Sequence, residues 1–152
     1  MNYARLYLPA LLLFWAGLLF GVSFLATPVK FQAPSLALSV GIDVGRYTFL
    51  WLNRLEWAGV FLLALLLWRG TQSAWVRLGG AAIALVVAAE TWWLLPLLDE
   101  RAQIVIDGGE APPSRLHQVY IALDLAELVL LLGLGFATLY LATRPKAQVT
   151  TL

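Results

Sequence analysis

Five charged side chains stand inside otherwise apolar stretches of this chain: Arg54, Glu56, Glu90, Asp124 and Glu127. A charge at the centre of a membrane helix costs on the order of 2.5–3.5 kcal/mol on insertion scales, so such residues default to a functional reading. Around Asp124 the polar residues are periodic. His117, Tyr120, Asp124 and Glu127 follow at intervals of three, four and three. On a helix that spacing gathers them within about 80° of arc, one narrow stripe on a Leu/Val/Ala surface. Earlier in the chain, Arg46 and Asn53 share a helical face with Glu56 one turn further on, whereas Arg54 projects about 160° from Glu56.

Depth strengthens the pattern. Glu56 and Glu127 each lie ten residues beyond a polar marker, Arg46 and His117, or about 15 Å along a helix axis. Glu90 precedes Leu98 by about 12 Å. In antiparallel helices these offsets bring four carboxylates from three helices to one level.

Such a cluster can do two kinds of chemistry. Carboxylates with one His can hold a transition metal, because four-helix bundles build carboxylate-rich metal sites between facing helices. Glu56, Glu90, Glu127 and His117 are the candidate ligands, although the paired Glu-x-x-His of di-iron proteins is missing. Alternatively, a cavity open to one side would let the acids bind a cation, a proton or a small polar or amine-bearing solute. Glu56, Glu90, Asp124 and Glu127 would then be ligands. Asn53, Tyr120 and His117 would orient them, and Arg46 and Arg54 would set the field. The inert reading is bracing, in which Arg54, or Arg46 and Lys30 near the mouth, pairs with some acids while others stay protonated.

The elements that must carry these residues follow from composition. Of 152 residues, 61% are hydrophobic and 12% charged, about half the charged share of a soluble domain. The excess apolar surface must face lipid. Four apolar segments are read as spans: about Leu6–Thr27, Tyr47–Trp68, Leu78–Leu98 and Gln118–Ala142. Each has the roughly 20 residues that cross a hydrocarbon core. Lipid offers backbone amides no partner, so the segments must be helices, and the alternation of barrel strands is absent. The expected fold is all-α, a single-domain integral membrane four-helix transmembrane bundle.

Pro28 is read as the stop of the first helix, and Pro96 as a kink or end of the third. Residues 28–46, with Pro34, Ser35, Gly41 and Gly45, are read as a loop, 69–77 as a short turn, 99–116 as a polar loop, and 145–152 as a short C-terminal tail. The first segment is read as a retained helix, since its apolar stretch exceeds the roughly 7–15 residues of a signal peptide and Phe24-Leu25-Ala26 is a poor cleavage site. Gly17 and Gly21, a G-x-x-x-G pair, would let it pack closely on its neighbours.

Four spans put both termini on one side, with Arg5, Arg69, Arg77, Arg144 and Lys146. The other side carries Lys30, Arg46, Arg101 and Arg115. The positive-inside rule favours cytoplasmic termini by that one charge, as in a bacterial inner membrane. Trp68, Trp75, Tyr3, Tyr7 and Tyr140 suit an aromatic belt at one interface, and Trp92 and Trp93 at the other. A net charge of +1 with no basic run gives no reason to invoke nucleic acid. The absence of cysteine excludes thiolate metal sites, iron–sulfur clusters and cysteine nucleophiles.

The run Gly21-x-x-Phe24-x-x-x-Pro28-x-x-Phe31, then Trp93-x-x-Pro96, a polar loop and Leu116-His117 resembles the DUF4149, or TMEM205-like, small membrane proteins. The resemblance implies a four-helix membrane fold and lends no settled activity, although a eukaryotic branch of that family is linked to metal-drug tolerance. Where those proteins follow the helix-four His with a Ser and an Asn, this chain carries Tyr120 and Asp124.

Three functional expectations result. The first is a membrane protein binding a cation or small polar solute in an intramembrane carboxylate-lined pocket, in a transport-like or sensing role. The second is a metal-dependent membrane oxidoreductase using the same acids with His117. The third is a non-catalytic subunit or assembly factor, with a second copy or another membrane protein as partner. The residues leave open whether the chain is an enzyme.

Overall fold

A computed structural model describes residues 6–70 and 72–144. Four long helices run alternately up and down: α1 (Tyr7–Lys30), α2 (Leu38–Arg69), α3 (Ala74–Ile106) and α4 (Leu116–Thr143), each long and apolar enough to cross a membrane. There is no strand among the described residues. The chain is an all-α bundle and a multi-pass membrane protein. Its outer surface is accordingly apolar, with Phe14, Phe61, Leu78, Leu85, Val129 and Phe136 all exposed, as lipid contact permits. Tyr3, Arg5, Lys146 and the expected tail at 145–152 lie outside the described residues.

Helices in lipid gain little from hydrophobic burial against one another, so close packing must hold them. In the half of the bundle nearer the termini it does. Leu12, Leu19, Ile83, Val87 and Leu131 are fully buried there. Gly59 of α2 takes the edge of the Trp15 indole, and a Cβ at that position would stand 2.7 Å from the ring. Gly135 of α4 receives Leu13 of α1 in the same way, its Cβ position 2.7 Å from the leucine side chain. Gly17 and Gly21 do not share this role. A Cβ on either would meet nothing within 4 Å, so the G-x-x-x-G pair is unused within the bundle, contrary to the expectation from its spacing.

The helices also overrun the expected bounds. Helix α1 passes through Pro28 to Lys30, and α3 passes through Pro96 to Ile106. In both, a π-helical segment precedes the proline: Phe20–Ala26 in α1 and Glu90–Leu94 in α3. A π turn is wider than an α turn, and it relieves the ring clash and missing N–H that normally break a helix at proline. Helix α2 begins at Leu38, nine residues before the expected Tyr47. Gly41 and Gly45, read as loop residues, are helical and let α1 approach. A Cβ at Gly41 would lie 2.6 Å from the Phe31 ring, and one at Gly45 would lie 2.7 Å from Lys30 Nζ. The polar stretch after Asp99 is therefore helical as far as Ile106. Gly108, at φ 85°, supplies the left-handed residue that closes α3.

Candidate functional site

The four carboxylates are all buried, and the glutamates converge. Glu56, Glu90 and Glu127 have no exposed surface, and Asp124 is 2% exposed. One carboxylate oxygen from each glutamate lies within 4.8 Å of the other two. Each comes from a different helix, α2, α3 and α4, so no local motif could make this site. Asp124 stands one turn from Glu127 on α4, and Tyr120 one turn beyond it, as the i, i+4, i+7 spacing requires.

Among the described residues, no basic side chain pairs with any of these acids; the ion pairs run from Arg46 to Asp43 and Asp99. Glu56 Oε1, both oxygens of Glu90, both oxygens of Glu127, Asp124 Oδ1 and the Tyr120 hydroxyl have no hydrogen-bond partner. Buried carboxylates without counter-charges are costly, and only protons or a bound cation can offset them.

One ordered path of hydrogen bonds reaches the cluster. Trp57 Nε1 donates to Thr91 Oγ1 at 2.8 Å. The Thr91 hydroxyl is shared between Asn53 Oδ1 at 3.0 Å and the Val87 carbonyl at 2.7 Å. Asn53 Nδ2 in turn donates to Glu56 Oε2 at 3.5 Å. Asn53 thus holds one oxygen of Glu56 and leaves the other free. Thr91 was not singled out from the sequence. A hydroxyl one residue after Glu90 was the available signal, but in an apolar helix a threonine bonded to its own i−4 carbonyl needs no partner.

Above the cluster, toward the long-loop ends of the helices, opens a cavity of about 1040 Å³. Its walls include Phe24, Phe31, Phe49 and Leu95, and its polar end is made by Ser23, Asn53, Thr91, Tyr120 and Asp124. The Tyr120 ring is held edge-on against Phe49, with centroids 5.1 Å apart. The expected pocket lining needs correction here. Asp124 lines the cavity, whereas Glu56, Glu90 and Glu127 are sealed beneath it.

Two expected participants are elsewhere. Arg54 is exposed on the outer face of α2, its guanidinium 4.6 Å above the Trp51 ring. The 160° offset from Glu56 sends it there, and stacking on an indole makes that face tolerable. It neither sets the field in the cluster nor braces it. His117 is exposed and lines the cavity, but ten residues of helix, about 15 Å, separate it from Glu127. It is not a ligand of the glutamate group, which therefore offers oxygen alone.

Arg46 stands at the mouth, as expected, and ties α2 to the extension of α3. It contacts Asp99 at 3.4 Å and Asp43 at 3.1 Å, and it donates to Gln103 Oε1 at 2.7 Å. Trp92, assigned to an interfacial belt, is exposed, and its ring lies 5.4 Å from that of Trp57, two residues from Glu90. No family model, curated protein or solved structure matches this chain.

Proposed function

We propose that this is a multi-pass membrane protein that binds a cation at an intramembrane carboxylate cluster, in a transport-like or sensing role. Glu56, Glu90 and Glu127 are the principal ligands. Asp124, at the foot of the cavity, is the one of the four acids that lines it. Asn53 and Thr91 orient Glu56, and Tyr120 adds a hydroxyl beside Asp124. The likeness to DUF4149 proteins and a bacterial inner-membrane location with cytoplasmic termini belong to the same proposal.

The observation that carries this reading is the convergence of three sealed glutamates from separate helices with no basic partner among the described residues. Bracing by ion pairs is not seen among the described residues, since Arg46 is engaged at the mouth and Arg54 faces outward. A small apolar core would fill the same space at lower cost, so acids retained here favour a ligand.

Glu90→Gln and Glu127→Gln, made in the full chain and purified in detergent, test the proposal. Both should stay folded and monodisperse while losing cation binding measured by calorimetry. Collapse of folding, with no cation bound by the native protein, would assign the acids to structure instead.

A redox-active metal centre is the second reading, favoured by the same 4.8 Å approach of the glutamates. Metal analysis separates the two. Iron or copper at one or more ions per chain would support it, with the acids acting without His117.

A further inference from the structure

We infer that the ion held by the glutamate group is a hard divalent cation of the Mg²⁺, Ca²⁺ and Mn²⁺ class, bound below the cavity at Glu56, Glu90 and Glu127. The inference rests on the cation-binding reading and narrows it by geometry, ligand type and access.

The geometry admits one shared ion. Three oxygens mutually within 4.8 Å surround a central point at most about 2.8 Å from each, at or within a few tenths of an ångström of the 2.1–2.6 Å that hard cations take. Small rotamer shifts close that gap. The ligand type is equally selective. Six carboxylate oxygens are free of hydrogen bonds: one on Glu56, two each on Glu90 and Glu127, and one on Asp124. Hard divalent cations take six or more oxygens. The chain has no cysteine, and its one histidine lies far along α4, so the nitrogen and sulfur donors that favour copper or zinc are missing.

Access supplies an independent argument. Asp124 and Tyr120 face the cavity, but the three glutamates have no exposed surface. An amine-bearing solute can reach Asp124 and go no further. An ion that enters must pass Asp124 and Tyr120, which the cavity wall and the buried polar group share. The Tyr120 hydroxyl, 2% exposed and without a partner, stands on the α4 face that carries Asp124 and Glu127. A neutral oxygen among unpaired carboxylates is placed to complete a coordination shell. A divalent ion offsets two of the four carboxylates where a monovalent ion offsets one, and protons offset the rest.

The test uses Mn²⁺ as probe. Full-length protein in nanodiscs, stripped with chelator, is titrated with Mn²⁺ while the electron paramagnetic resonance of the free ion is followed. Saturable loss of the free-ion signal is expected in the native protein, with competition by Mg²⁺ or Ca²⁺. Affinity should fall at least about tenfold in Glu90→Gln and in Glu127→Gln, and be unchanged in the outward-facing Arg54→Gln. If either glutamine variant does not fold, Mn²⁺ protection of the native protein against thermal unfolding, absent with Na⁺, is the substitute reading. Equal Mn²⁺ binding by native and glutamine variants overturns the assignment. If only Na⁺ or proton binding depends on Glu90 and Glu127, the divalent assignment fails and the cation site stands. If no cation binding depends on them, both fall.

Discussion

Thr91 and Asn53 are bonded to each other across the α2–α3 interface at 3.0 Å, and through Asn53 the same hydroxyl fixes the attitude of Glu56. Thr91→Val keeps the shape and removes the tether. It should cost about 1–3 kcal/mol, because it leaves the buried Asn53 Oδ1 and the half-buried Trp57 Nε1 without partners. Mn²⁺ affinity should fall about tenfold, as when an outer-shell partner of a metal ligand is lost. Thr91→Ser should retain most of both. Thermal melts and the same resonance titration check the pair.

Cation binding should strengthen as pH rises. Carboxylates must give up protons to coordinate an ion, so protons and Mn²⁺ compete for the same oxygens. Titration in buffers of different ionisation enthalpy should show protons released on binding in the native protein and fewer in Glu90→Gln. Affinity that does not change with pH would contradict carboxylate ligation.

His117→Ala and Arg54→Gln should each leave Mn²⁺ affinity within about twofold of native, less than the tenfold scale of an outer-shell loss. His117 lies along the cavity and Arg54 on the outer face. A large loss in His117→Ala would restore it as a ligand and return the site to mixed nitrogen and oxygen donors.

Glycine replacements separate packed from open positions. Gly59→Ala drives a methyl to within 2.7 Å of the Trp15 ring and should destabilise the bundle by about 1–3 kcal/mol, the usual cost of overpacking. Gly17→Ala meets nothing within 4 Å and should be neutral or gain up to about 1 kcal/mol of helix propensity. Melting both in one detergent gives the comparison.

Much of the site was legible because charges in apolar segments are so costly that few are present, and helical periodicity then fixes their faces. Glu56, Glu90, Asp124 and Glu127 were all identified that way. The spacing also placed Arg54 opposite Glu56, but it could not show that Trp51 offers a guanidinium a seat on the outer face. The extended helices were hidden because Pro28 and Pro96 read locally as breakers, and only π turns in the preceding residues let the chain continue. Gly41 and Gly45 look like loop residues until Phe31 and Lys30 are seen against them. Thr91 escaped because its partners are 34 and 38 residues away, and no single-helix pattern reports such a contact.

The tightly packed lower half has a consequence for what the bundle can be. Leu12, Leu19, Ile83, Val87 and Leu131, none of them exposed, form a dry stopper beneath the glutamates. From Glu127 to Leu134 that stopper is about 10 Å deep. On the proposed reading, an ion arriving from the long-loop end descends a shaft that these residues close below. To leave by the other face, α1 and α4 would have to part where Leu13 is seated on Gly135; to register its arrival, nothing below the acids need move at all.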